Sequence, residues 1–235
     1  MPKIPAYFER NVFINCPFDE PYAPLFNAIV FAVHDVGFRA RCALEASNAG
    51  QFRLSKIMDI ISSCKYSIHD LSRTEIDKDT KLPRFNMPLE LGLDLGCRRF
   101  GSSFHKTKVS LVMDIELHRY ERFISDIKGQ DIYAHGGSAE RAIDVVRDWL
   151  RNELDPRVVI IPSGKNIHDR YQDFQKALPS LCAKLSWNVK KLPFADFSWS
   201  VALWIEENPI NTRQNGGRKP GRPSKKVNKK AGRSE

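Results

Sequence analysis

The residue of this chain best suited to chemistry is Glu90, a carboxylate near the start of a predicted helix. Pro88 fits the first position of that helix, because its missing N–H would have no partner there. Glu90 then lies in the first helical turn, where the helix dipole favours an ionised carboxylate. Gly92 and Gly96 share one helix face and would let a neighbouring element approach closely. An acid held in this way either faces a ligand or is only a favourable partner of the dipole.

Strands and helices alternate along the first two thirds of the chain. Short β-rich runs predict strands, and apolar residues at three- and four-residue spacing predict helices. The connections are too long for hairpins, so the pattern indicates an α/β fold with a parallel sheet flanked by helices on both faces. The predicted strands cover residues 11–15, 38–44, 66–71, 108–115 and 130–134, and the predicted helices cover 22–36, 54–64 and 139–154, besides the helix that begins at Pro88.

The remainder of the chain divides into two parts. Residues 155–210 contain a predicted helix at 171–185, interrupted near Pro179, and an aromatic run at 194–205 that completes the core, covers the sheet edge or meets a partner. We therefore expect an α/β domain at residues 1–154, a helical and aromatic extension at 155–210 packed on it, and a disordered basic tail at 211–235.

Three segments fall at the carboxyl ends of the predicted strands, where parallel sheets bind their ligands. These segments are residues 16–22, 70–73 and 86–90. Asp70 either hydrogen-bonds ribose hydroxyls or acts as a turn acid, whereas His69 points to the opposite face and is structural. Phe18, in the same loop as Asp19, either stacks on a base or packs against the first helix.

Two more residues are candidates because they open helices. Arg53 begins the second helix and either meets a phosphate or lies on the solvated surface. Asn86 either caps the Glu90 helix, which is the commoner use, or contacts a ligand. The chain has no phosphate-binding GxGxxG or P-loop sequence, and nothing in its spacing indicates a metal site.

The run Arg84-x-Asn86-x-x-x-Glu90-Leu91-Gly92, followed by Gly96, resembles a motif of the TIR-like nucleotide-binding domains of bacteria, and more distantly of nucleoside 2-deoxyribosyltransferases. The resemblance covers about residues 11–135 and implies a three-layer, flavodoxin-like sheet. Its supporting matches are Arg53 with Lys56-Ile57, the strand that ends at Asp70, and Ser125-Asp126-Ile127-x-Gly129. Arg84 stands where the deoxyribosyltransferases have an aspartate, which weakens a base-exchange activity.

The resemblance implies an NAD(P) N-glycosidase that releases nicotinamide, acts in bacterial defence and self-associates. Glu90 would be the catalytic residue, because an ionised carboxylate beneath the sugar stabilises an oxocarbenium-like transition state. No other cofactor is implied, since NAD(P) or a related nucleotide is the substrate or ligand. The residues expected to bind the nucleotide are Phe18, Asp19, Arg53, Asp70, Asn86, Ser125 and Asp126.

Two other functions remain open. The same pocket could sense a nucleotide, including a cyclic signalling nucleotide, without converting it. Alternatively, the protein could be a DNA-associated regulator in which the sheet domain serves for oligomerisation. Fold resemblance by itself does not decide among these functions.

Composition restricts where the protein works. No apolar stretch is long enough to span a bilayer, and the first ten residues lack the apolar core of a secretion signal. The five cysteines are scattered without CxxC spacing, as is typical of reduced thiols in a cytoplasmic protein. We expect a cytoplasmic protein that does not bind membranes.

The net charge of +9 comes almost entirely from the carboxyl-terminal tail. Residues 213–235 carry nine Lys or Arg and one acid, whereas residues 1–212 carry 28 basic and 27 acidic residues. Residues 217–226 resemble an AT-hook with the core Gly221-Arg222-Pro223, which fits the narrow minor groove of A·T-rich DNA. The alternative is a generic basic tail. The residues expected to contact DNA are Arg218, Lys219, Arg222, Lys225 and Lys226.

Overall fold

Five parallel strands form the central sheet of the protein, for which a computed structural model describes residues 4–45, 50–76, 81–154 and 161–210. The strand order is β2-β1-β3-β4-β5, and every neighbouring pair is parallel. The strands are β1 (Asn11–Asn15), β2 (Arg39–Cys42), β3 (Tyr66–Asp70), β4 (Val109–Asp114) and β5 (Ile132–Ala134). This order is flavodoxin-like, and the α/β fold predicted from the sequence is confirmed.

The helices lie on both faces of the sheet, and their bounds agree with most of those predicted. Helices α1 (Ala23–Asp35) and α4 (Ala139–Asn152) pack together on one face, and α2 (Arg53–Ser62) and α3 (Asn86–Phe100) pack together on the other. Two more helices, α5 (Gly164–Lys184) and α6 (Phe194–Glu207), pack outside α1. Helix α1 is therefore covered on all sides, which explains why it is apolar nearly all round.

The alternation of side chains along β1 divides the core between the two faces. Val12 and Ile14 pack into the large cluster that contains α1, α4, α5 and α6. Phe13, between them, packs against Ile57 and Ile61 of α2 on the opposite face. The aromatic run of α6 completes the large cluster, one of the uses expected for it.

Helix α5 differs from its prediction in where it begins and in its continuity. It begins at Gly164, where the side chain of Ser163 accepts a hydrogen bond from the Asn166 N–H at 3.3 Å. It then continues through Pro179 to Lys184, so the predicted interruption is wrong. Pro179 lies on the exposed side of the helix, where water can serve the carbonyl that the proline leaves without a donor.

Helix α3 also begins differently from the prediction. Its first residue is Asn86, so Pro88 is the third residue and the first turn holds no acid. Proline is tolerated throughout the first turn, because none of those N–H groups has a partner within the helix. Asn86 does not cap the helix either: Phe85 occupies the N-cap position, and its side chain makes no capping hydrogen bond.

The two glycines of α3 face open space, which contradicts the close approach expected from their spacing. A Cβ atom added to Gly92 or Gly96 would meet nothing within 4 Å. The close-packed face of the helix instead contains Met87, Glu90, Leu91 and Asp94, all of them buried.

We therefore expect Gly92→Ala and Gly96→Ala each to raise the free energy of unfolding by about 0.5–1 kcal/mol, because alanine restricts the unfolded chain and fits a helix interior. Urea denaturation of the two variants measures this directly. Gly37→Ala is the matched control and should be destabilising, since Gly37 has φ +86° just after α1. A loss of stability in the α3 variants would mean that this face packs against something.

Candidate functional site

The loops that follow β1 and β3 and the start of α3 meet at the carboxyl edge of the sheet, as predicted. The side chain of Asn15, at the end of β1, donates to the Met87 carbonyl at 2.8 Å. Arg84 donates to Asp19 at 2.8 Å, which joins the loop after β1 to the segment before α3. Strand order reverses at β1 and β3, and open α/β sheets bind ligands in the crevice at that point.

Glu90 lies at a cavity of about 290 Å³ between the first turns of α2 and α3. Only 8% of the residue is exposed, yet its carboxylate has no hydrogen bond or ion pair with any residue that the structure describes. Arg53 and Asn86 line the same cavity, so three of the residues singled out in the sequence are brought together. The other lining residues are Leu54, Ile57 and Leu89. The volume is at the lower end of the range for small-molecule pockets.

The environment of Glu90 weakens the preference for the ionised form that the sequence predicts. Burial raises the pKa of its carboxyl to about 7, against the opposing attraction of Arg53. The carboxyl is not in the first turn, so the N–H groups that would favour its charge do not reach it. Loss of hydration therefore dominates, and Glu90 can both accept and release a proton near neutral pH.

Four residues after Glu90, Asp94 anchors the same helix to the sheet. Its carboxylate is completely buried and accepts hydrogen bonds from Ser67 and Ser110, each at 2.7 Å. Lys108, also buried, places its ammonium group 3.0 Å from the other carboxylate oxygen. Residues four apart share one helix face, so this anchor also fixes the position of Glu90.

Lys108 and His69 contact Asp94 from two sides and stabilise its ionised form. The ammonium group of Lys108 also donates to the carbonyls of Ile61 and Cys64 at the end of α2. Nε2 of His69 lies 3.3 Å from Asp94. Burial alone would raise the pKa of Asp94, but the hydrogen bond and electrostatic attraction of His69 and the charge of Lys108 outweigh it and bring that pKa well below its usual range.

His69 has the structural role predicted for it. Its Nδ1 accepts a hydrogen bond from the Asn15 side chain at 3.0 Å, which leaves Nε2 to carry the proton toward Asp94. The side chains of His69 and Asp94 are both fully buried. The pair therefore ties the end of β1 to α3 and is not available to a ligand.

The structure does not support contact between Asp70 and a ribose. Asp70 is fully buried, and one of its oxygens accepts the backbone N–H of Ser72 at 2.8 Å. The other oxygen accepts the Tyr22 hydroxyl and lies 3.0 Å from Nε2 of His135. Burial would raise the pKa of Asp70, but His135, Ser72 and Tyr22 together lower it. Asp70 therefore fastens the starts of α1 and α4 to β3. Both of its carboxylate oxygens are already engaged in these contacts.

Phe18 and Asp19 line a different cavity from Glu90. That cavity lies beside α1 and α6, and none of its lining residues belongs to the Glu90 cavity. The Asp19 carboxylate is engaged by the backbone N–H of Tyr22 at 3.1 Å, besides its bonds to Arg73 and Arg84. The structure thus separates two residues that the sequence placed in one site with Glu90.

Ser125 and Asp126 lie in a short 3₁₀ turn after β4 and are exposed, and neither lines the Glu90 cavity. The proposed DNA contacts, Arg218, Lys219, Arg222, Lys225 and Lys226, lie outside the residues that the structure describes. Their role remains a prediction from the sequence.

Sequence reasoning missed the residues that position Glu90. Asp94 is an acid in the middle of an apolar helix pattern, and Lys108 is a cation directly before a buried strand. Each is a polar residue inside an apolar run, which is the signal that could have identified a buried pair. The sequence gives no sign that these two residues meet.

No protein-family model, curated protein or solved structure matches this chain. The fold and site define an α/β protein with a flavodoxin-like sheet and an unpaired, desolvated glutamate at its carboxyl edge. Within the described ranges no helix combines the length and apolar character that crossing a bilayer requires. In the same ranges no three His, Cys, Asp or Glu side chains are grouped to hold a metal ion.

Asp94→Asn should lower the free energy of unfolding by about 3–5 kcal/mol at pH 7, because it leaves the buried Lys108 charge without an anion. The difference should shrink as the pH falls below about 4, since the folded-state pKa of Asp94 is depressed and its stabilisation is lost on protonation. Urea denaturation across this pH range measures both effects.

The control for this variant is Asp173→Asn, which removes an exposed ion pair with Lys176. Its stability should change by less than about 1 kcal/mol. Equal effects of the two substitutions would show that the buried network does not hold α3.

Glu90→Gln should stabilise the protein at pH 8 and have little effect at pH 5. The raised folded-state pKa means that the native carboxyl prefers its proton, so ionisation costs stability as the pH rises from 4.5 to about 7. Glutamine removes that cost, on the order of 1–3 kcal/mol. Glu206→Gln, at an exposed position of α6, should show no such dependence. Destabilisation by Glu90→Gln at pH 8 would contradict the desolvated site.

Proposed function

We propose that the protein is an N-glycosidase that hydrolyses the nicotinamide–ribose bond of NAD(P). The observation that carries the proposal is the Glu90 carboxylate, which is 8% exposed, without a protein partner among the described residues, and located at a cavity. The ionised form of a desolvated acid lowers the stability of the folded protein, and acids with strongly perturbed pKa values are concentrated at functional sites. The choice of nicotinamide as leaving group rests on the TIR-like motif around Glu90.

The reaction requires little more than one ionised carboxylate. The bond between ribose C1′ and the nicotinamide nitrogen breaks, and its electron pair leaves with neutral nicotinamide. The sugar becomes cationic, and the ionised Glu90 stabilises that charge most strongly because the site is poorly hydrated. Water adds to C1′ and gives its proton to Glu90, whose pKa of about 7 suits it to accept one.

The surroundings of the cavity support a nucleotide rather than a simple sugar. Arg53 contributes a cation, and the N-cap residue of α2, Phe52, makes no side-chain capping hydrogen bond to the N–H groups, which favour a phosphate. The N-cap residues of the two lining helices, Phe52 and Phe85, are 87% and 67% exposed. Exposed rings beside the cavity offer flat faces on which a base can stack.

The second candidate function is nucleotide sensing without turnover. Glu90 is the only acid that lines the cavity among the described residues, and no histidine lines it. No second group there activates the attacking water, so the site has fewer catalytic parts than glycosidases with paired carboxylates. The ligand would bind through the same Arg53 and Phe85 contacts.

The decisive experiment is nicotinamide release from NAD⁺ and NADP⁺, measured by mass spectrometry over a range of protein concentrations, because the TIR-like motif implies self-association. Glu90→Gln should reduce release at least a thousandfold by removing the charge that stabilises the transition state. Its folding is expected to be intact, so inactivity cannot be assigned to unfolding. Glu206→Gln is the matched control and should retain full activity.

The pH profile distinguishes an ionised from a protonated Glu90. Since the ionised form is required, kcat/KM should rise tenfold per pH unit below about 7 and level off above it. The cationic nicotinamide ring favours the carboxylate, so the pKa seen in kcat should be lower than that in kcat/KM. Thermal stabilisation by NAD⁺ without release at any protein concentration would reject hydrolysis and favour sensing.

A further inference from the structure

A second cavity, of about 350 Å³, lies between the sheet and the carboxyl-terminal helices on the face opposite Glu90. The loop after β1 and the first two turns of α1 form one wall. Residues of α5 and α6 and the segment between them form the other. Helices α1, α5 and α6, which contribute to both walls, pack on the main core of the protein.

The walls of this cavity are mainly aromatic and aliphatic. Phe26 is central, with its ring 5.4 Å from that of Phe18 and 5.8 Å from that of Phe194. Phe197 and Leu178 complete the apolar surface. A ligand whose apolar part covers these side chains removes their surface from water, which is favourable.

Two polar groups are directed to the same space without a protein partner. Asn27, half-buried on α1, makes no side-chain hydrogen bond with any described residue. Lys190 is the one cation among the described lining residues, and none of them is its ion-pair partner. The lining acid, Asp19, is already neutralised by Arg73 and Arg84. The uncompensated charge at the cavity is therefore positive.

We propose that this cavity binds a small aromatic carboxylate. Its ring would lie among the four phenylalanine rings, where edge-to-face contacts are favourable. Its carboxylate would lie toward Lys190, and its polar edge would use the free amide of Asn27. This is the general arrangement of a small-molecule site, an apolar lining with a few polar groups that fix orientation.

The full-length protein is titrated with 2-naphthoate and with its neutral isostere 2-naphthamide, and binding is followed by calorimetry. We expect 2-naphthoate to bind saturably and more tightly than the amide. Lys190→Gln should weaken the carboxylate about three- to tenfold and leave the amide unchanged, because it removes only the charge interaction. Lys191→Gln, at the neighbouring lysine that does not line the cavity, should change neither.

Two further variants test where the probe lies. Ala23→Phe fills the cavity from α1 and should weaken both probes at least tenfold, whereas Ala202→Phe, at a different cavity, should weaken neither. Asn27→Leu should weaken both probes, and the Asn27 side-chain amide signal should shift in an NMR titration. The lysine pair decides the question if Ala23→Phe does not fold, since both lysines are exposed.

Three results would overturn the proposal. The first is the absence of saturable binding of 2-naphthoate at millimolar concentration. The second is an equal loss of affinity in Lys190→Gln and Lys191→Gln. The third is displacement of 2-naphthoate by NAD⁺, which would assign the cavity to the nucleotide site. Nicotinamide release by the protein plays no part in these measurements, so the proposal stands or falls separately from the N-glycosidase.

Discussion

The buried carboxylate of Asp94 is the interaction on which the arrangement of the site depends. It joins α3 to β3 and β4 through Ser67, Ser110 and His69, and Lys108 extends the connection to the end of α2. A buried ion pair adds little net stability compared with an apolar core, but it is costly to break. Its consequence is geometric, because the polar partners accept only one position of the helix. Glu90, one turn earlier, is thereby held at the crevice.

Glu90 and Asp94 show how environment gives two carboxylates on one helix face opposite properties. Cationic and hydroxyl donors surround Asp94, and its pKa is lowered. Glu90 has no such donor, and desolvation raises its pKa to about 7. Pairs of acids whose pKa values are driven apart are typical of sites that separate structural from chemical roles. The contrast between these two acids is the strongest physical reason to regard the Glu90 cavity as functional.

The carboxyl edge of the sheet is closed on one face and accessible on the other. On the α1 face, Asp70 is engaged by Tyr22 and His135, which fixes the starts of α1 and α4. On the face that α2 and α3 cover, the Glu90 cavity lies between the starts of these two helices. The β1–α1 loop contributes Phe18 and Asp19 to a separate cavity against the carboxyl-terminal helices. The sheet therefore positions two cavities of different character, one that holds the Glu90 carboxylate and one that is lined by aromatic rings.

The sequence by itself determined the α/β class, the positions of most strands and helices, and the meeting of three loops at one edge. These properties follow from local periodicity, to which every residue of a strand or helix contributes, and from the geometry of parallel strands. Glu90, Arg53 and Asn86 were found for the same reason, since all three lie near the starts of α2 and α3. The passage of α5 through Pro179 was not predictable from local preference, because tertiary packing on one side and water on the other sustain the helix.

Only the tertiary structure decided which polar groups are satisfied and which are not. Asp70 and Glu90 are both acids at the same edge, and nothing in their spacing tells that Tyr22 and His135 enclose the first while the second has no partner among the described residues. Gly92 and Gly96 likewise suggested contact where the structure has open space. The physical reason is that burial and hydrogen bonding are set by residues distant in sequence, here 48 positions apart for Tyr22 and Asp70, and such partners leave no local pattern.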